Sequence, residues 1–441
     1  MKKKILHFGN IANNAYLNSK FLRSQQYLSD VISLNYKHIM GQPEWEDAEI
    51  ISHGDDFAPN FLLYNSFKKP NWFYDGSIKD IINKFKKEQK LQTSSVKAFL
   101  LEKFFYKFHY LFFFLIFKTF YFFFIIKCRK NLKNLIYLHK YHIDSVLLER
   151  VFKLYDHIIF YGTTSIYGYL SGVTYSCYEH GSIRDFPYQN SLFGKLVFKS
   201  YASCQNLFIT NCDAIHDAKK IKVKKFDFIP HPVNENLPNK NNKKENIQKI
   251  IESLKSKDCI KIFHPSRQHW SKDKRDPNLD KGNDVLWEGL FKLNQTGKDF
   301  YCIAVDWGAH LEESKKLINY YNINHKIEFI QPLCHFDFIR LLDHIDIVAD
   351  QFFLGSFGSL APKALMAGVP VLINYNKLNH DWAFFKHPPF INCKNSDDIY
   401  SFLSKTNQQE LEVLKKESKN WYFNNHDSKV IINKFKKIIS I

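Results

Sequence analysis

The sequence predicts an α/β protein built as two halves that face each other across a cleft. Three observations carry this reading. Short apolar runs rich in Ile, Val and Phe recur between amphipathic stretches in both halves of the chain. Glycine or a polar residue closes most of these runs, as strand-to-helix turns require. The stretch 234–257 contains NKNNKKEN and almost nothing apolar before Ile247, so it reads as a polar linker between residues 1–233 and 258–425.

In the first half, KILHF (4–8) is a strand closing on Gly9 and Asn10, and a polar loop leads into a helix with Leu17, Phe21 and Leu22. Glycine directly after a first strand lets a backbone approach a ligand, although a plain tight turn has the same signature. Further strands are expected at 31–35, 157–161, 173–178, 206–210 and 225–229, with 41–76 rich in loops. The strand 173–178 ends at Glu179-His180-Gly181. In the second half, strands are expected at 259–263, 300–305 and 327–330, and the tail ends in an amphipathic run at 430–439. The final segment, 426–441, is expected to be a helix returning to the first domain.

The stretch 345–372, IDIVADQFFLGSFGSLAPKALMAGVPVL, condenses the pattern: strand, glycine turn, helix, strand. Ser359 suits an N-cap, Pro362 suits a first helical turn, and Gly368 suits a stop. Such a helix aims bare N–H groups past the strand end, where an anion could sit; an ordinary crossover would look alike.

Net charge is +18, from 62 basic and 44 acidic side chains, with lysine spread along the chain. That argues for general affinity to phosphate, nucleotide or anionic lipid rather than for nucleic acid, and a Lys- and Asn-rich compositional bias would give the same excess. The eight cysteines include no C-x-x-C pair, so neither zinc spacing nor a disulfide framework is expected, and a reducing cytoplasm is the natural setting. No metal site and no cofactor are expected. The start, MKKKILHFGN, has no apolar h-region and reads as a strand.

Residues 77–150 read as a helical insertion in the first half, with the aromatic run AFLLEKFFYKFHYLFFFLIFKTFYFFFII at 98–126 flanked by lysines and an arginine. Lys118 near its apolar centre would cost about 2.5–3.5 kcal/mol in a bilayer, which disfavours a span. A helix lying in the headgroups of an anionic membrane and an aromatic core helix both fit.

Five stretches, in order, make the sequence resemble a GT-B fold glycosyltransferase of glycosyltransferase family 4 (group 1). They are HFGNIANNAYLNSKFLR (7–23), YEHGSIRDFP (178–187), FDFIPHPV (226–233), Arg267 followed at a distance by Lys281-Gly282, and GSFGSLAPKALMAGVPVL (355–372). The resemblance covers the chain outside about 77–150. It implies two Rossmann-like domains, a nucleotide diphosphate sugar as donor substrate, and a glycan or lipid-linked acceptor, as in cell-surface polysaccharide synthesis. It further implies that Arg267 and Lys281 hold the diphosphate, that Gly282, Gly358 and Ser359 line the donor site, and that Gly9 and Asn10 face the reaction centre. His180, with Glu179, matches a position near the transferred sugar, where the structural alternative is a histidine bonded to backbone. Arg184 would meet an acidic acceptor or a phosphate, or is a surface charge. One departure stands out. The family carries two glutamates eight positions apart, and this sequence has Gly355 and Lys363 there. A lysine cannot accept hydrogen bonds from a ribose diol, so either Asp350 or Gln351 contributes instead or activity is reduced. The implied enzyme is a metal-independent hexosyltransferase in the cytoplasm, peripheral on the inner face of the membrane. A nucleotide-sugar-binding protein without transferase activity, and an epimerase or phosphorylase on the same fold, remain open alternatives.

Overall fold

Seven short apolar segments of the first half pair side by side: β1 (Lys4–Phe8), β2 (Leu28–Leu34), β3 (Phe73–Gly76), β4 (His157–Tyr161), β5 (Ser176–Glu179), β6 (Leu207–Ile209) and β7 (Phe226–Phe228). Six of the second half do the same: β8 (Ile260–His264), β9 (Phe300–Val305), β10 (Ile327–Ile330), β11 (Ile347–Ala349), β12 (Val371–Ile373) and β13 (Ile391–Asn392). The computed structural model describes residues 3–34, 38–49, 67–88, 129–239, 245–271, 275–276 and 278–439. The aromatic run at 98–126 lies outside them. Among the described residues, no helix is long and apolar enough to cross a membrane.

All strand pairs are parallel. The sheets run β3-β2-β1-β4-β5-β6-β7 and β10-β9-β8-β11-β12-β13. Parallel strands are covered by helices on both faces, which explains why β4 and β9 read as nearly unbroken apolar runs. Leu6 and Phe8 bury on one face of the first sheet and Ile5 on the other; Phe263 and Ile262 divide likewise on the second. These are two Rossmann-like α/β domains.

Among the described strands, β3 falls in the stretch expected to be rich in loops, and β13 falls where no element was expected. β3 is four residues on the edge, held by β2, and β13 is two residues held by β12. The stretch read as linker contains the helix Glu245–Lys255, whose Ile247, Ile251 and Leu254 pack with Phe263 and Leu341 of the second domain. At the far end, the helix Ser428–Ile439 lays Ile431, Ile432 and Phe435 against Ile5, Leu17 and Phe208 of the first domain. This helix therefore packs on the domain that holds β1.

In each sheet, strand order reverses at one place. It reverses between β1 and β4 in the first and between β8 and β11 in the second. Loops leaving the strand C-termini at such a switch point diverge and open a crevice. Gly9 and Asn10 leave β1, Arg267 follows β8, and Asp350 and Gln351 follow β11, so the fold alone brings these five expected residues to the two crevices.

Candidate functional site: a cationic interdomain cleft

The second-domain wall starts at His264, the last residue of β8. Its Nδ1 donates to the Ala349 carbonyl at 2.8 Å, which leaves Nε2 to accept from Asn283 Nδ2 at 2.8 Å. Burial lowers its pKa to about 4, so the ring is a neutral brace between β8 and β11. Asn283 also donates to the Arg267 carbonyl at 3.2 Å and accepts from His269 N–H at 3.0 Å. One amide thus staples the loop 264–269 to the start of the helix Asn283–Gln295. Gln268 completes the frame: its N–H donates to the Trp307 carbonyl and its carbonyl accepts from His310 N–H, at 2.7 and 2.9 Å. Gly308, at φ +135°, is the residue that lets these backbones meet.

This frame presents Arg267 half-buried, with a buried Nε lacking a partner and no ion pair among the described residues. Burial, opposed by Asp276, holds its pKa below the ordinary arginine value. Lys281 lies nearby. Its Nζ donates to Gln351 Oε1 at 2.6 Å, and burial, opposed by Asp350 and Asp280 and reinforced by Arg267 and Arg184, lowers its pKa to about 8. Asp350 is buried, accepts from Ser266 Oγ at 2.9 Å through Oδ1, and leaves Oδ2 without a partner. Burial raises its pKa against the pull of Lys281. Asp350 stands beside Lys281, and the other buried carboxylate nearby, Asp280, is already bridged by Arg275, while Arg267 has no ion pair among the described residues.

Gln351 links the lysine to the glycine turn, since its Nε2 donates to the Ser356 carbonyl. Gly355 adopts φ +67°, and its carbonyl accepts from Asn376 N–H. A Cβ at Gly358 would meet nothing within 4 Å, so that turn faces open space. The helix Leu360–Ala367 follows, but Ser359, expected as its cap, has helical torsions and makes no side-chain cap bond. The first-turn amides are left without the side-chain acceptor that usually satisfies them. Gly282, at φ +64°, sits against the Phe352 backbone, where a Cβ would come within 3.0 Å.

On the first-domain wall, Glu179 departs from expectation. It is fully buried, with Oε1 accepting from Gly181 N–H and Oε2 from Ser182 Oγ (2.8 Å) and the Tyr201 hydroxyl. It clamps the turn from below instead of facing the cleft. His180 is half-buried, its carbonyl accepts from Asn211 Nδ2 at 2.6 Å, and its Nδ1 is buried without a partner. Burial is the main cause holding its pKa below 6.5. Arg184 pairs in a fork with Asp213, at 2.6 and 2.7 Å, so it is not a free phosphate contact, although its charge still reaches Lys281. Gly9 takes φ +93° with its N–H on the Ile32 carbonyl. Asn10 is buried: its amide donates to Asn13 and the Gly41 carbonyl and accepts from Tyr16 N–H, which makes it the brace of the first helix.

Lys363 is engaged by the other domain. Its Nζ lies 3.1 and 3.4 Å from the carboxylate oxygens of Glu46 on the first domain. Sequence reading missed Glu46, Ser266, Asn211 and Asn283. Asn283 follows Lys281-Gly282 directly and was within reach of local reasoning; the others act through partners distant in sequence. Among the described residues, no group of three or more His, Cys, Asp or Glu could hold a metal ion.

No protein-family model and no curated protein sequence matches this chain. Solved structures do. Anabaena HepE in complex with UDP and glucose aligns at TM-score 0.60 and 10% identity, covering 99% of both chains. Sucrose-phosphate synthase from Thermosynechococcus elongatus aligns at TM-score 0.57 and 9% identity, covering 99% of this chain and 98% of its own. A mutant of S. aureus TarM, in complex with fondaparinux, alpha-GlcNAc-glycerol and UDP, aligns at TM-score 0.57 and 10% identity over 100% of both chains. At such identities the likeness establishes the fold: two Rossmann-like domains in the GT-B arrangement.

Proposed function

We propose that the chain is a glycosyltransferase that moves a hexose from a nucleotide diphosphate donor to a glycan or lipid-linked acceptor, in the synthesis of a cell-surface polysaccharide. The observation that carries this is the pairing of two underneutralised cations, Arg267 and Lys281, with the uncapped helix start at Gly358 and Ser359, at a switch point of the second sheet. A diphosphate is a ligand whose charge matches both features. The UDP in the HepE and TarM complexes lends this reading support, on the same fold.

In this mechanism the leaving diphosphate gathers negative charge as the glycosidic bond breaks. Lys281 and Arg267 stabilise that charge from positions fixed before substrate arrives, so little reorganisation is needed. Gln351 orients the ammonium, and Asp350 keeps it protonated near neutral pH despite burial. His180, its pKa held below the ordinary value chiefly by burial, stands at the strand end where its neutral ring would border the transferred sugar. Glu179 acts at one remove, by fixing the His180-Gly181-Ser182 turn. The enzyme would work in the cytoplasm, on the inner face of the membrane.

A thermal-shift screen across nucleoside diphosphates tests the reading without an acceptor. A ligand at about 100 times its Kd stabilises by about 2.7 kcal/mol, which a melting curve resolves. At least one diphosphate should shift the transition, with the monophosphate of the same base weaker. A flat response across all bases would remove the donor-site assignment.

A further inference from the structure

The short helix Glu44–Asp47 and the two residues after it belong to the first domain, yet four of their six side chains engage the second. Asp47 turns home, bonded to Lys20 at 2.6 Å and to the Tyr16 hydroxyl at 2.6 Å. Trp45 and Ala48 pack on Cys334. Glu46 meets Lys363 at 3.1 Å, with side chains only 5% and 15% exposed. Glu49 receives a fork from Arg340, at 2.8 and 2.9 Å. His335 also lies 3.7 Å from Glu46, but its Nε2 bonds the Asn236 carbonyl at 3.0 Å and burial keeps the ring neutral, with a pKa of about 4. Lys363 is therefore the cation that balances Glu46.

We propose that residues 45–49 form an interdomain clasp, and that Glu46, Lys363, Glu49 and Arg340 are positioning residues. Lys363 stands in the first turn of the helix whose start we assign to the diphosphate. Its bridge to Glu46, 317 positions away in sequence, fixes that helix relative to the first-domain wall carrying His180. Arg340 does the same from the helix His335–Leu342. The Glu46–Lys363 contact gives the clasp a definite register, because a shifted arrangement would separate two buried charges, whereas Arg340 also keeps Asp337 of its own helix at 2.8 Å. The role assigned to the clasped helix rests on the donor-site reading; the clasp itself does not.

Small-angle X-ray scattering of the full chain without ligand reads the clasp directly. Glu46→Gln combined with Glu49→Gln should enlarge the radius of gyration and broaden the distance distribution. The charge swap Glu46→Lys with Lys363→Glu should return both toward wild type, as single changes do not. If that buried swap fails to fold, Glu49→Arg with Arg340→Glu, in an Asp337→Asn background that removes the carboxylate also paired with Arg340, makes the same comparison at the more exposed bridge. Calorimetry with UDP adds a second readout: when the competent arrangement falls to about a tenth of the population, apparent affinity weakens about tenfold. Wild-type scattering from the double Gln variant, or swaps that stay as open as single changes, would overturn the proposal. So would loss of UDP binding in Glu46→Gln with unchanged scattering, since Glu46 would then be a ligand contact. If the wild type takes up no UDP, the donor reading is what suffers, and scattering still decides the clasp.

Discussion

Replacing Lys281 by Met removes the ammonium and keeps most of the stem's volume. In the free protein that ammonium has a pKa of about 8 in place of 10.5, chiefly because it is buried. The difference is about 3.4 kcal/mol of unfavourable environment for the charged form, at about 1.36 kcal/mol per tenfold. An arriving diphosphate relieves it and adds direct attraction, so loss of the cation should weaken binding by about 3 kcal/mol, on the order of 100-fold. The sign of the pH dependence follows. The ligand raises the Lys281 pKa from its depressed value, so affinity is full while the lysine is protonated, below about 8. Above that it falls by up to tenfold per pH unit, with proton uptake on binding approaching one. Isothermal titration at about pH 7, 8 and 9, in buffers of two ionisation enthalpies, measures both quantities. The Lys281→Met variant should bind weakly and without this pH decline. Wild-type affinity that stays flat across the range, or a Met variant within about threefold of wild type, would refute the role given to the lysine.

Asp350→Asn removes the carboxylate that holds the Lys281 proton, so the decline in affinity should begin below pH 8; an unmoved profile would show that the two groups do not communicate. Gly308→Ala should drive a Cβ into the Gln268 backbone, lowering stability by roughly 2–3 kcal/mol and weakening diphosphate binding through Arg267. Chemical denaturation with binding at matched temperature checks both, and a fully stable variant would show that the Trp307–Gln268 frame can yield. Glu179→Gln should lower stability by about 1–3 kcal/mol, because an amide offers only one acceptor oxygen to three donors. Lost turnover at unchanged stability would instead return Glu179 to a direct part in the chemistry.

The two-sheet plan was readable because parallel strands buried on both faces announce themselves as apolar runs closed by glycine or polar residues. β3 and β13 escaped for the opposite reason. Phe73-Tyr74-Asp75-Gly76 includes two poor strand formers, and Ile391-Asn392 is too short for any period, so only pairing with β2 and β12 makes them strands. Arg267 and the 355–359 turn could be placed from the sequence because they follow the ends of β8 and β11. Glu179 and Asn10 were misjudged because position at a strand end does not say which way a side chain turns. Both are buried and bonded to backbone, work that a sequence does not distinguish from facing a ligand. Arg184 looked like a free cation until the fold delivered Asp213. Lys363 is the sharpest case, since its partner lies on the other domain and no local pattern points to it.

Calorimetric titration of the wild type and of a double variant, Arg267→Ala with Lys281→Met, tests the cationic cleft most directly. The ligand should be the nucleoside diphosphate giving the largest thermal shift. Saturable one-site binding is expected for the wild type and none detectable for the double variant, with both proteins equally folded by circular dichroism. Equal binding by the two would mean that the diphosphate site lies elsewhere in the molecule.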